Sequence, residues 1–248
     1  MYLKGAENSV MILWIITAFT AYLVKGLCGY ANTLIFTTIL SLGAANTSIS
    51  PVDLLLGYPA NLILTWKNRR SLDPKVYLPL AILVLAGSIP GALMLRNVDS
   101  RSIKLVFGVV VIALGVEMLA EGYSRKRLHS SKLKLAIIGI TAGMLCGLFG
   151  VGALLAAYVS RVTETDSSFK ANISAVFIID NTFRIILYKA LGLLTLVTVK
   201  SVLILFPFAL LGLFTGIKCC GHMNDKNVRK ITTVLLILSG ISLVLKNL

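Results

Sequence analysis

Three candidates for binding chemistry are charged side chains inside or at the edge of long apolar stretches, where charge is costly and usually faces a cavity. Lys25 precedes a glycine-rich turn, and Asp180 and Arg184 lie four residues apart, on one face of a predicted helix. Arg184 could bind an anion while Asp180 exchanges protons, or the two could form an ion pair that only stabilises the helix. Lys25 could neutralise an anion or extend to water at the end of its stretch.

Two similar glycine clusters, Gly26-Leu-Cys-Gly29 and Gly147-Leu-Phe-Gly150, each lie between short apolar segments. A helix that restarts after such a turn has unpaired N–H groups and a positive dipole end, which together bind anions. Glycine also lets the backbone approach an oxyanion closely, although small residues can serve helix packing alone. The predicted anion-site residues near these turns are Gly26, Gly29, Tyr30, Asn32 and Thr33 in the first half and Gly147, Gly150, Val151 and Gly152 in the second.

The apolar stretches predict an all-α integral membrane protein. Hydrophobic residues make up 57% of the chain and charged residues only 14%, against about 45–50% and about 25% in soluble domains. The predicted apolar segments are 9–25, 30–42, 51–66, 76–95, 103–120, 135–146, 152–160, 171–188, 196–217 and 231–246. Spanning a bilayer takes about 20 residues, so the short segments beside the glycine turns predict re-entrant hairpins.

Positive charge is concentrated in four loops, 67–75, 121–134, 161–170 and 218–230, which together with their edges carry fifteen Lys and Arg against six on the other side. Basic loops face the cytoplasm. We therefore expect a multi-pass protein of the cytoplasmic membrane with these four loops inside. The net charge of +14 follows this loop pattern, which gives no indication of a nucleic-acid partner.

The two halves resemble each other with a period of about 121 residues. The glycine clusters align, Asn61 matches Asn181, and Ser88-Ile-Pro-Gly-Ala92 matches Leu213-Phe-Thr-Gly-Ile217. The loop sidedness places residues 9–42 and 135–160 in opposite orientations. We therefore predict two inverted repeats, 1–121 and 135–248, joined by a basic linker, 122–134, with each repeat formed by one hairpin and three spanning helices. Such folds bind substrate near the membrane midplane, where Asn61 and Asn181 would meet.

This arrangement, a long apolar helix, a glycine turn, a short helix and three spans, all repeated, resembles the sulfite exporter TauE/SafE family of permeases. The resemblance covers residues 9–246 and rests on architecture more than on a sharp signature. The family turn is often richer in glycine than Gly29-Tyr30-Ala31-Asn32 and Gly150-Val151-Gly152-Ala153 are here. The resemblance implies a secondary transporter of small sulfur-containing anions, such as sulfite, sulfoacetate or other sulfonates.

Other functions receive less support from the sequence. Neither histidine belongs to a metal-binding pattern and no phosphate-binding G-x-x-x-x-G-K-[ST] loop is present, so we expect no enzyme activity, metal or cofactor. A cation or metal-ion transporter would need an excess of carboxylates in the membrane, whereas Lys25 and Arg184 match or exceed Asp180. Asp53 is predicted to lie in the first turn of a helix begun by Pro51, where it complements the helix dipole. The expected partners are a small anion and the lipid bilayer, and a homodimer stays open.

Overall fold

The computed structural model describes residues 2–41, 43–97, 132–149 and 152–220, with scattered positions between 101 and 116 and between 234 and 248. The predicted segments 103–120 and 231–246, and most of the predicted linker, lie outside these ranges. Regular structure within the described ranges is helical throughout, as the composition predicts. The helices are α1 Tyr2–Cys28, α2 Asn32–Ser41, α3 Asn46–Lys67, α4 Pro74–Asn97, α5 Lys132–Phe149, α6 Ala153–Val162, α7 Asp166–Ala190 and α8 Leu196–Cys219, with a 3-10 turn at Arg69–Ser71.

Four of these helices are long and apolar enough to cross a membrane. The qualifying stretches are Val10–Cys28 in α1, Pro74–Met94 in α4, Asp166–Ala190 in α7 and Leu196–Cys219 in α8. The helices α2 and α6 have 10 residues each and reach only about 15 Å, half of a hydrocarbon core. Each of these short helices follows a predicted glycine turn.

Local sequence explains where the later helices begin. The Thr165 side chain accepts a hydrogen bond from the Ser168 N–H at the start of α7, and Thr195 and Thr198 form a capping box at the start of α8. Pro74 opens α4, where its missing N–H is not needed, and the Asp73 carboxylate accepts from the Lys75 N–H.

Several helices extend beyond the predicted apolar segments, and two of these differences change the interpretation. We expected the third apolar helix to begin at Pro51, but α3 begins at Asn46 and contains Pro51 in its interior. Pro51 therefore removes one backbone hydrogen bond within the helix, a defect that the surrounding packed helices accommodate. The predicted short segment 135–146 is part of α5, which has 18 residues and reaches about 27 Å.

Glycines bring α1 against α8 and α5 against α4 in the same way. A Cβ atom on Gly26 would lie 2.9 Å from the Cα of Gly216, and one on Gly147 would lie 3.0 Å from the carbonyl carbon of Gly91. Gly212 contacts Phe19 and Gly216 contacts Gly26, so α1 and α8 run parallel. The α4–α5 contacts also advance in the same direction along both helices, so these two helices are parallel as well. Gly26 matches Gly147 and Gly216 matches Gly91 in the sequence repeat. The same backbone contact therefore recurs at positions that the predicted repeat aligns.

The helices α3 and α7, which the predicted repeat aligns, pack against each other in opposite directions. The Ser50 hydroxyl lies 3.2 Å from the Tyr188 hydroxyl, and the Thr182 hydroxyl donates to the Tyr58 hydroxyl at 3.2 Å. Near the other end of this pair, the Asn172 amide oxygen accepts from the Asp73 N–H at 2.9 Å, just beyond α3. Early residues of α3 thus meet late residues of α7. The crossing of these antiparallel helices brings Asn61 and Asn181 to one region of the core.

Candidate functional site

A polar cavity lies between the two halves, at the crossing of α3 and α7. Its cavity volume is about 20 Å³ for the centre of a water-sized sphere, and about 410 Å³ is free of atoms when space open to solvent is counted. Helices from both halves contribute its walls, and the lining includes backbone and side chains from the break between α1 and α2. The lining residues are Lys25, Ala31, Asn32, Thr33, Leu34, Asp53, Leu54, Gly57, Asn61, Gly152, Phe177, Asn181 and Arg184.

The α1–α2 break turns the chain at the cavity wall. Gly29 has φ +85° and Ala31 has φ +74°, and the left-handed conformation of Ala31 is costly for a residue with a Cβ atom. The Gly29 N–H closes α1 by donating to the Lys25 carbonyl at 2.7 Å. The next helix restarts at Asn32, and Ala31 to Leu34 line the cavity. The unpaired N–H groups and positive dipole end of α2 are therefore at the cavity.

One buried polar cluster joins Lys25 to Asp53 through Asn32. The Lys25 ammonium donates to the Asn32 amide oxygen at 2.9 Å, and the Asn32 amide nitrogen donates to the Asp53 carboxylate at 3.1 Å. The Tyr22 hydroxyl donates to the same carboxylate at 3.2 Å, and the Thr33 hydroxyl donates to its other oxygen. Lys25 is 1% exposed and Asp53 4% exposed. Both charges are thus held away from lipid by hydrogen bonds within the protein.

The second cluster is centred on Arg184, which also lines the cavity. Its guanidinium donates to the Tyr188 hydroxyl at 2.8 Å and to the Ser50 hydroxyl at 3.3 Å. The nearest carboxylate oxygen of Asp180 lies 3.8 Å from the guanidinium, at the long end of an ion pair. Asp180 accepts instead from the Ser88 hydroxyl at 2.5 Å. The Arg184 Nε is buried and donates to none of the described residues, so this cation has a free donor.

Two matching asparagines complete the lining. Asn61 on α3 and Asn181 on α7 are both buried and both line the cavity. Gly57 lies between the halves, where an added Cβ atom would be 3.9 Å from the Asn181 amide nitrogen. The Asn61 amide oxygen has no partner among the described residues. A buried amide oxygen without a partner costs free energy, and only a group that donates a hydrogen bond, such as a water molecule or a protonated ligand, could recover it.

The predicted site residues divide into two groups. The sequence-predicted residues that line this cavity are Lys25, Asn32, Thr33, Asn61, Gly152, Asn181 and Arg184. The remaining described candidates, which do not line the cavity, are Gly26, Gly29, Tyr30, Gly147 and Asp180, while Gly150 and Val151 lie outside the described residues. Substrate binding by any of these residues stays a prediction.

The candidates beside the cavity have packing contacts. Gly26 and Gly147 face the backbones of neighbouring helices, so their contacts fit the close-packing alternative. An added Cβ atom on Gly29 would lie 2.7 Å from the Lys170 side chain, so the group that approaches closely there is a lysine stem. The Tyr30 ring packs edge-on against Phe169 at 5.8 Å between centroids.

The prediction for Asp53 is wrong. We expected it in the first turn of a helix begun by Pro51, but α3 starts five residues earlier, at Asn46, and Asp53 lies buried in its interior. Lys25 and Arg184 outnumber the buried carboxylates only when Asp180 is counted alone. With Asp53 included, Lys25 and Arg184 are matched by two carboxylates, and Lys170 is a third buried cation that does not line the cavity. The side-chain charges at the cavity alone therefore do not favour an anion.

Four further residues that the sequence did not single out support the two clusters. Tyr22 and Tyr188 are fully buried. The Tyr22 hydroxyl donates a hydrogen bond to Asp53, and the Tyr188 hydroxyl accepts one from Arg184. Ser50 and Ser88 bond Arg184 and Asp180, respectively. A tyrosine inside an apolar span carries one signal, because its hydroxyl needs a partner when buried. Single serines in apolar helices carry no comparable signal.

Comparison with known proteins identifies the family. Neither the curated proteins nor the solved structures include a significant match to this chain. The model of one protein family, described as Sulfite exporter TauE/SafE, matches residues 14–243, nearly the whole chain. Its members are membrane transporters, in agreement with the four apolar helices and the polar cavity between the halves. The chain belongs to the sulfite exporter TauE/SafE family.

Proposed function

We propose that this chain is a secondary transporter of small sulfur-containing anions, such as sulfite, sulfoacetate or other sulfonates, working by alternating access around the cavity. The observation that carries the proposal is the convergence of Lys25, Arg184 and the α2 N-terminus on one buried space. The side-chain charges of the two clusters balance, so the helix dipole and the unpaired N–H groups supply the excess positive potential. The free Nε of Arg184 supplies one more donor for an oxyanion.

The alternating-access part of the proposal rests on two inverted repeats, residues 1–121 and 135–248. Two findings support it: the parallel glycine contacts recur at equivalent positions, and the equivalent helices α3 and α7 run antiparallel. A two-fold axis through the α3–α7 crossing would produce both. The short helices α2 and α6 would then be arms of hairpins that re-enter from opposite sides.

Sidedness gives the first test. We expect Ser71, in the basic loop 67–75, to be cytoplasmic, and Leu194, between α7 and α8, to lie on the outer side. In a chain whose four native cysteines are replaced, Ser71→Cys should resist a membrane-impermeant thiol reagent in intact cells and react after lysis. Leu194→Cys should react in intact cells. The reverse labelling pattern would overturn the proposed orientation.

Substrate class is tested on the purified protein. Sulfite, sulfoacetate or methanesulfonate should raise the melting temperature in detergent, because a ligand at about 100 times its Kd stabilises the folded state by about 2.7 kcal/mol. Sodium and potassium chloride at matched ionic strength are the controls. Liposomes containing the protein should also take up labelled sulfite faster than empty liposomes.

The same measurements test the rival function. Asp53 and Asp180 bring two carboxylates to the polar core, which is the feature that a cation transporter would require. Stabilisation by Na⁺, K⁺ or a divalent metal ion, with none by the three anions, would favour cation transport and contradict our proposal.

A further inference from the structure

We propose that the carboxyl group of Asp53 is the proton site of this transporter, and that one proton enters the cavity with each anion. This inference deepens the proposed function and rests on it, since it assigns the coupling ion. Asp53 is 4% exposed and still lines the cavity, so its carboxyl group is shielded from lipid but reachable from the transport path.

The polar and charged groups around Asp53 come from three helices, α1, α2 and α7. Tyr22 and Lys25 face it from α1, and Asn32 and Thr33 face it from the start of α2. Arg184 and Asn181 reach the same cavity from α7. Three groups donate hydrogen bonds to this carboxylate, and Lys25 reaches it through the Asn32 side chain. The Lys25 ammonium therefore balances the Asp53 charge from the far side of the Asn32 side chain and does not contact the carboxylate directly.

Charge balance links the proton to the anion. In the empty cavity, Asp53 offsets Lys25, as Asp180 offsets Arg184. An anion that binds at Lys25 adds an uncompensated negative charge to a buried space, where charge repulsion is strong because screening is weak. A proton on Asp53 removes that excess. The O–H bond on the carboxyl group forms as an O–H bond of a hydronium ion in the cavity breaks. The Tyr22 or Thr33 hydroxyl, which donates to the carboxylate, then rotates to accept from the new O–H.

A proton fits this position better than a sodium ion does. A sodium ion would bind through oxygen atoms whose lone pairs are free. Here the Tyr22 and Thr33 hydroxyls point their hydrogens at the carboxylate, and the Asn32 amide oxygen already accepts from the Lys25 ammonium. The lysine ammonium thus occupies the place that a metal cation would take.

Asp180 is a poorer candidate for the proton site. Its carboxylate does not line the cavity, and it is held by the Ser88 hydroxyl beside Arg184. Arg184 stays protonated at any working pH. The Arg184 cluster therefore keeps its positive charge, whereas the net charge of the Asp53 cluster changes when Asp53 binds a proton. Anion binding and proton binding thus depend on different residues of one cavity.

Linkage makes the effect measurable. If proton binding at Asp53 raises the affinity for the anion, anion binding must raise the affinity for the proton by the same factor. For one coupled proton, the apparent anion Kd should rise about 10-fold per pH unit once Asp53 is ionised in the empty protein. Sulfite itself titrates in this range, so the probe should be methanesulfonate, which stays a monoanion.

The experiment measures methanesulfonate binding to the purified full chain between about pH 5 and about pH 7, together with proton uptake in weak buffer. The wild type should bind more weakly as the pH rises and take up close to one proton per anion. Asp53→Asn should bind with a Kd that does not depend on pH, and without proton uptake. Asp73→Asn, which removes an exposed carboxylate and keeps its capping oxygen, should behave as the wild type.

The outcomes separate the two proposals. A wild type that binds methanesulfonate with a flat pH profile and no proton uptake overturns the coupling and leaves anion transport standing. A pH dependence that survives in Asp53→Asn overturns the assignment to Asp53. A wild type that is stabilised by none of sulfite, sulfoacetate and methanesulfonate at about pH 5 contradicts the proposed function itself. If Asp53→Asn does not fold, proton uptake by the wild type still decides whether a proton is coupled.

Discussion

Replacing Arg184 by glutamine is expected to destabilise the protein and to remove most of its affinity for sulfite and sulfonates. Breaking a buried ion pair by removing one partner costs about 3–5 kcal/mol, because the remaining charge is left uncompensated. Arg184→Gln leaves Asp180 buried at 1% exposure with the Ser88 hydroxyl as its remaining close partner. It also removes the donors to Tyr188 and Ser50 and the free Nε at the cavity.

The double variant Asp180→Asn/Arg184→Gln separates stability from binding. Both charges are then removed, so much of the lost stability should return, as when a buried pair is replaced as a unit. Affinity should not return if Arg184 contacts the anion. The measurements are the melting temperature and the Kd for methanesulfonate, with Arg69→Gln as the control. Arg69 is an exposed arginine that stacks on Trp66 at 4.7 Å, beyond the end of α3 and away from the cavity.

A double variant that folds and transports like the wild type would falsify the binding role of Arg184. The pair would then serve only to hold α7 in place, which is the alternative that the sequence leaves open. The 3.8 Å separation argues for the binding role, since a purely structural pair could close to direct hydrogen-bond distance. Arg184 instead directs its shorter bonds at the two hydroxyls.

The sequence predicted the class of fold because a membrane imposes strong constraints on a chain. Apolar length, glycine breaks and the internal repeat led to the all-helical bundle and to the short helices α2 and α6. Charged residues inside apolar runs led to Lys25, Asp180 and Arg184, which are all buried in the core. Each of these signals is local or periodic, so one sequence is enough to reveal it.

The parts that could not be predicted depend on contacts between distant segments. Pro51 is an ordinary signal for a helix start, yet α3 begins five residues earlier and contains it. Asp53 therefore lies in the interior of α3, where it is buried, and not in its first turn. The sequence could not show whether a glycine near a turn contacts an anion or a neighbouring helix. In the structure, Gly26 faces the backbone of Gly216. The left-handed backbone conformation of Ala31 could not be predicted, because alanine rarely adopts a positive φ. The Asp53 network draws on residues up to 31 positions apart.

The balance between Lys25 and Asp53 makes Lys25→Met the second substitution with a large expected effect. Methionine fills the volume of the lysine stem but removes the ammonium that bonds Asn32. The cavity then holds Asp53 without its cation, so an entering anion loses a charged hydrogen-bond donor and meets net repulsion. A hydrogen bond to a charged group is worth about 1.5–3 kcal/mol. The methanesulfonate Kd should therefore rise about 10- to 150-fold at neutral pH.

Lowering the pH should recover part of this loss, because a proton on Asp53 removes the repulsion but cannot replace the donor. The double variant Lys25→Met/Asp53→Asn should bind with an intermediate Kd at every pH, since it lacks both the donor and the repelling charge. Lys189→Met, which removes an exposed lysine from the end of α7, controls for the overall charge of the protein. If Lys25→Met binds methanesulfonate as the wild type does at all pH values, Lys25 does not contact the anion. The ammonium would then serve only to neutralise Asp53, and the anion site would be confined to Arg184 and the start of α2.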